Sequence, residues 1–142
     1  MNFAKLTSIR HQKGFTLVEL LVVIAVIGVL AIAVVVAIDP LDKLHAADDS
    51  KVQGDIAQLA SAMENYAVTH NGAYATTQAI LVTAGELKVA LNDPSGVAYT
   101  VNGGAAGTIF HALQSKKYTA TPVWGWCSST GRAGATTGTT CP

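Results

Sequence analysis

Charge is scarce in this sequence. Only 13% of its 142 residues are Asp, Glu, Lys or Arg, about half the roughly 25% of a soluble globular domain. Apolar residues make up 50%, and the excess sits in the first third of the chain, as a membrane segment requires. The length suits one domain rather than two. The formal net charge of zero hides an asymmetry, because the first fourteen residues hold Lys5, Arg10 and Lys13 with no acid. Without them the rest of the chain is net acidic. Beyond Lys116-Lys117 it has no basic patch, so nucleic acid is not indicated as a partner.

Chemistry-bearing patterns are equally sparse. His11, His45, His70 and His111 are scattered, with no metal-ligand spacing among themselves or with the cysteines. No nucleophile motif surrounds any Ser or Thr. Gly103-Gly104 and Gly107 belong to a hairpin, not to a phosphate-binding loop. These absences argue against an enzyme, a metal site and a bound cofactor. The two cysteines, Cys127 and Cys141, both lie in the last sixteen residues. Two thiols closing one loop suit an oxidising compartment; the alternative is two unpaired thiols in a loose tail. No repeat and no interdomain linker is evident.

What is present is dominated by Phe15–Ile38, FTLVELLVVIAVIGVLAIAVVVAI, which contains no proline and one charge, Glu19. At about 1.5 Å per residue a helix of this length measures about 36 Å, enough for a hydrocarbon core roughly 30 Å thick. Its Val and Ile residues are poor helix formers in water, but in lipid only a helix satisfies the backbone within one segment. Lys5, Arg10 and Lys13 should stay cytoplasmic, which puts the following domain on the outer side. An ordinary secretory signal is the rival reading, with Ala31-Ile32-Ala33 or Val35-Val36-Ala37 imitating its cut site. Its apolar core would be shorter, about 7–15 residues, and would not carry an acid.

From Leu41 the period changes. Leu44, Asp48, Val52, Ile56, Leu59, Met63 and Tyr66 recur at steps of three or four, which predicts a helix with one apolar stripe and Asp48 as its defect. Lys43, Asp49, Lys51, Gln53, Gln58 and Glu64 fall on the polar side. Asp39-Pro40 separates the lipid-type helix from the amphipathic one and predicts a kink or break there. The second helix should stop near His70-Asn71-Gly72. A short helix fits within Thr77–Leu87, and Asn92–Gly96 is a turn cluster. Strand-like runs follow at Val97–Val101, Thr108–Gln114 and about Thr121–Cys127, with Asn102-Gly103-Gly104 between the first two. The expected fold class is α+β: a long N-terminal helix, half transmembrane and half amphipathic, packed against a small three-stranded antiparallel sheet. Ser128–Pro142 reads as a low-complexity tail closed by the cysteines. Trp124-Gly125-Trp126 reads as strand aromatics packing on the helix or on neighbouring subunits, or as an exposed adhesive patch.

Three features coincide at the head of the apolar run: a basic leader ending in Gly14, an aromatic at Phe15, and Glu19 five residues after the glycine. Each alone is bland. Gly14 could be a loop glycine, Phe15 an interfacial aromatic, and Glu19 an acid snorkelling from the first turn. A carboxylate at the bilayer centre costs about 2.5–3.5 kcal/mol on insertion scales, so its partner should be named. The run contains no base. Cleavage after Gly14 would create one, since an α-amino group with a pKa of about 8 is largely protonated at neutral pH. Between two helices this amine, reinforced by the helix dipole, can meet Glu19 of a neighbour and fix the axial register. Such a pair mostly offsets its own desolvation and contributes specificity rather than net stability.

The segment KGFTLVELLVVIAVIGVLA resembles the N-terminal signature of type IV pilins and of the pseudopilins of type II secretion, closely over Lys13–Ala33 and in general architecture beyond. The resemblance implies a leader at 1–14, cut by a prepilin peptidase between Gly14 and Phe15, and N-methylation of Phe15. It implies that Glu19 is the assembly glutamate. Residues 15–38 would be an inner-membrane anchor that becomes filament core, and residues 39–142 an exported pilin-like domain. The implied partners are other pilins in a homo-oligomeric helical filament, the peptidase, an inner-membrane assembly platform, and lipid before assembly. Gly28 matches a glycine frequent in pilins. Cys127 and Cys141 stand where many pilins close a disulfide loop. One departure is the absence of a proline in the second half of the apolar run; the nearest is Pro40.

The leading expectation is a structural subunit of an extracellular pilus. A pseudopilin of a type II secretion system is the alternative. An acidic calcium-binding loop near the C-terminus would favour that alternative, and no acid follows Asp93. A membrane-tethered binding domain that never assembles is the rival from another class, and it predicts that Glu19→Ala changes nothing.

Overall fold

The computed structural model describes residues 14–142. Residues 1–13, with Lys5, Arg10 and Lys13, and so all but the last residue of the leader expected at 1–14, lie outside the described residues. The chain resolves into two compact units, one ending at Asp39 and the other spanning Pro40–Pro142. Together they have the α+β composition expected from the sequence, with one more strand.

The first unit contains helix α1, Leu17–Ile38. Thr16 caps it: its hydroxyl accepts from the Glu19 amide, and Glu19 at the third helical position reaches back to the Thr16 amide. This reciprocal capping box satisfies donors that a helix start otherwise leaves orphaned. At the other end Asp39 takes a left-handed conformation (φ 47°, ψ 71°), and the next helix starts at Pro40. The interruption therefore falls at Asp39-Pro40. Proline suits the first turn of a helix, where its missing N–H is not needed.

In the second unit α2 spans Pro40–Thr69. It ends where expected, with Asn71 (φ 55°) and Gly72 (φ 82°) both left-handed and the Gly72 amide donating to the Ala67 carbonyl at 2.9 Å. Helix α3 is short, Gln78–Thr83, and is capped by Thr77. The sheet is a meander of four antiparallel strands in the order β1-β2-β3-β4: β1 Val101–Asn102, β2 Thr108–Ala112, β3 Val123–Cys127 and β4 Arg132–Thr136.

Two strand expectations are corrected. Val97–Thr100 is not strand; only Val101–Asn102 pairs with β2, because the segment before it is tied into the Asn92–Val97 turn. The tail supplies a fourth strand, its Arg-Ala-Gly-Ala-Thr sequence paired residue for residue with β3 from Val123↔Thr136 to Cys127↔Arg132. Gly131 at φ 62° reverses the chain, and its amide donates to the Cys127 carbonyl at 3.0 Å.

The core lies between α2 and the sheet. Ile56, Leu59, Met63, Leu81 and Ile109 are fully buried, with Val52 and Trp126 nearly so. Each such side chain contributes about 1.5–3 kcal/mol over leaving it in water. Val52, Ile56, Leu59 and Met63 are the middle of the predicted stripe. The stripe's first member departs from expectation, since Leu44 is 63% exposed. Asp49, placed on the polar side by periodicity, is buried, because it binds backbone amides of the segment after β2. Trp126 is buried and Trp124 half-buried against the same cluster, so the pair packs inward and is not an exposed patch.

Candidate functional site

The candidate site is the head of α1. Gly14, Phe15 and Thr16 precede the helix without regular structure. The bond between Gly14 and Phe15 thus lies on exposed chain, and Phe15 is 85% exposed. Thr16 donates to the same Glu19 carboxylate oxygen twice, from its amide at 2.8 Å and from its hydroxyl at 2.9 Å. The Glu19 amide donates back to the Thr16 hydroxyl at 3.2 Å. The capping box is legible in Thr16-x-x-Glu19 and gives Glu19 a local partner, Thr16, beside the amine expected from its charge.

Behind this head, α1 has no buried residue. Its large apolar side chains are 48–80% exposed, from Val23 at the low end to Leu17 at the high end. A helix apolar on all sides is stable only where lipid or other helices surround it. By length and composition it can cross a membrane. An apolar helix headed by one acid and followed by an α+β unit fits a membrane-anchored precursor.

Cys127 and Cys141 are joined in a disulfide, with Cα atoms 5.6 Å apart. Cys127 is fully buried, so the bond ties the chain end to the central strand β3. Ser129 donates to the Cys141 sulfur at 3.7 Å.

A polar cleft of about 220 Å³ lies between α2 and the sheet, lined by Asp48, Asp49, Asp93, Ser95 and His111 among others. The Ser95 hydroxyl and the Val97 amide donate to Asp93 at 2.7 and 2.8 Å. His111 Nε2 lies 3.3 Å from the other Asp93 oxygen. The Ser95 and Val97 bonds, aided by His111, hold the Asp93 carboxyl below its ordinary value against partial desolvation. The Tyr99 hydroxyl donates to Asp55 at 2.8 Å; burial and that carboxylate push its pKa up. Asp55 also pairs with Lys51 at 2.7 Å. Among the described residues no group of three or more His, Cys, Asp or Glu is placed to hold a metal ion.

Residues 9–35 match the prokaryotic N-terminal methylation motif. This is the class III signal sequence of type IV pilins and pseudopilins, and the matched stretch contains Gly14, Phe15, Thr16 and Glu19. Neither the curated proteins nor the solved structures give a significant match to the chain. The motif points to a structural protein and implies processing by a prepilin peptidase and assembly with other pilins.

Proposed function

We propose that this chain is a structural subunit of a type IV pilus filament. The peptidase cuts between Gly14 and Phe15, and Phe15 becomes the methylated N-terminus. Phe15–Ile38 holds the subunit in the inner membrane with residues 39–142 outside the cytoplasm. On assembly this helix leaves the lipid and packs against the same helix of other subunits in an extracellular filament. Glu19 meets the α-amino group of a neighbouring Phe15 and fixes the register. The subunit performs no catalysis and needs no cofactor.

One observation carries this reading: the methylation motif at residues 9–35 heads a helix whose apolar side chains nothing among the described residues covers. The Cys127–Cys141 disulfide, resembling the closed loop of many pilins, favours a pilus over a secretion pseudopilus.

Two measurements test it. Intact-mass analysis of exported material should give a chain starting at N-methylated Phe15 with two hydrogens lost to the disulfide. Glu19→Ala should be cleaved and membrane-inserted yet form no filaments. Normal filaments from that variant would instead support the tethered binding domain.

A further inference from the structure

The globular unit leaves two leucines in the open. Leu59, Leu81, Leu87 and Leu113 are buried and Leu91 is half-buried. Leu41 and Leu44, by contrast, are 61% and 63% exposed. They lie one turn apart on the first turns of α2, so they share a face. Asp42 and Asp49 mark the side of α2 that meets the sheet unit. Asp42 accepts from the Lys116 amide at 2.7 Å, and Asp49 from the Gln114 and Ser115 amides. At about 100° per residue Leu41 continues the buried stripe of Val52, Ile56 and Leu59 toward the helix start and Leu44 lies beside it, yet both are more than half exposed.

Their place in the chain says what covers them. Glu19 and Asp39 are the acids that flank the long apolar stretch. At about 1.5 Å per residue they are about 30 Å apart along the helix, the thickness of the hydrocarbon core. With Glu19 at the inner edge of that core, Asp39 reaches the outer edge. Leu41 follows by two residues and Leu44 by five. Fully extended chain would carry Leu41 at most about 7 Å further, whatever the angle at Asp39. That distance lies within the interfacial layer, where apolar helix faces sink about 5–10 Å into the headgroup and acyl boundary; Leu44, about 5–6 Å from Leu41, stays in the layer when the start of α2 lies along the surface. Lys43, between the two leucines, can keep its ammonium among headgroups while its stem follows the apolar face.

We propose that, before assembly, Leu41 and Leu44 form a lipid-contacting face that seats the start of α2 in the outer interface of the bilayer. The inference rests on the membrane-anchored reading above. It adds a second membrane contact, made by the globular unit itself, which must be withdrawn when the subunit enters a filament.

The test uses the full chain in phosphatidylglycerol–phosphatidylcholine liposomes. Leu44→Cys, and separately Leu41→Cys, carries a nitrobenzoxadiazole label. Val68→Cys, at an 84% exposed position far along α2, is the reference. The native cysteines are paired, so the label goes to the introduced thiol. Lipids with a nitroxide near the headgroup should remove most of the fluorescence at positions 41 and 44 and little at 68. Vesicle flotation is measured on the same samples. Protein that floats with unquenched labels at 41 and 44 overturns this inference alone. Protein that does not float overturns the membrane anchor and this inference with it. Labels at 41 and 44 that escape quenching and whose emission changes on dilution in lipid assign the face to a second copy of the chain, and so also overturn it.

Discussion

The Ser115 amide donates to the Asp49 carboxylate at 2.9 Å, joining residues 66 positions apart in sequence. The Gln114 amide donates to the other oxygen at 2.8 Å. One buried carboxylate on α2 thus closes the corner where the chain leaves β2. Replacing Asp49 by Asn turns an amide nitrogen toward one of the two N–H donors and leaves that donor unsatisfied. Hydrogen bonds to charged groups contribute about 1.5–3 kcal/mol each. Asp49→Asn should therefore lose on the order of 2 kcal/mol in urea unfolding of the unit that contains α2 and the sheet.

The same group sets a pH dependence. Burial pushes the Asp49 carboxyl up, but hydrogen bonds from Ser115 and Gln114, aided by His45, outweigh it and hold it below its ordinary value. A carboxyl lowered in the fold adds stability that is fully present above the unfolded pKa, about 3.9 for Asp. That stability is lost as pH falls through the lower folded value. Acid titration of unfolding midpoints should show the loss below about pH 4, and Asp49→Asn should flatten that limb.

A close backbone approach makes Gly103 a sensitive position. Tyr74 and Gly104 exchange backbone hydrogen bonds of 2.8 and 2.9 Å. A Cβ on Gly103 would run into the backbone of Tyr74 and Ala75. Backbone cannot swing aside as the end of a side chain can. Gly103→Ala should cost about 1–3 kcal/mol, the range for overpacking. Gly138→Ala, where nothing lies in the way, is the control, and thermal unfolding separates the two.

The part of this fold written in local pattern was legible, and the part written in long-range contacts was not. Val52, Ile56, Leu59 and Met63 announce their buried face through a period of three to four, and Asn71-Gly72 announces the helix end. Asp49 looks like any polar-face acid, because its partners are backbone amides that carry no side-chain signature. Strand β4 contains no aromatic residue and no β-branched residue before Thr136. It exists because β3 offers a free ladder edge and Gly131 turns the chain back onto it. At the site, Gly14, Phe15 and Glu19 stood out by spacing. Thr16 did not, because an uncharged hydroxyl in an apolar run carries no signal of its own until the helix start is fixed at Leu17.

The Cys127–Cys141 bond closes a loop with a sequence separation of 14 that contains β4. A loop of this size is worth about 3 kcal/mol on the chain-entropy estimate. The double variant Cys127→Ala, Cys141→Ala should lose stability of that order. Hydrogen exchange should accelerate most at Arg132–Thr136, the edge strand paired on one side only, and least at Thr108–Ala112, which keeps neighbours on both sides.

Thr16 and Glu19 yield the prediction closest to the proposed function. Both Thr16 donors go to one oxygen of the Glu19 carboxylate, so a neighbour's amine can approach the other oxygen without opening the capping box. If the box orients the acid for that approach, the hydroxyl should matter less than the acid but still be measurable. Thr16→Ala keeps the amide donor and loses the hydroxyl, and a lost cap of this kind costs about 1 kcal/mol. An energy of that size changes an equilibrium about fivefold. Filament yield from Thr16→Ala should therefore fall to roughly a fifth, whereas Glu19→Ala should give none, with both variants cleaved and membrane-inserted. Sheared filaments quantified beside the membrane pool check this, and equal yields from Thr16→Ala and wild type would mean that the acid needs no intramolecular positioning.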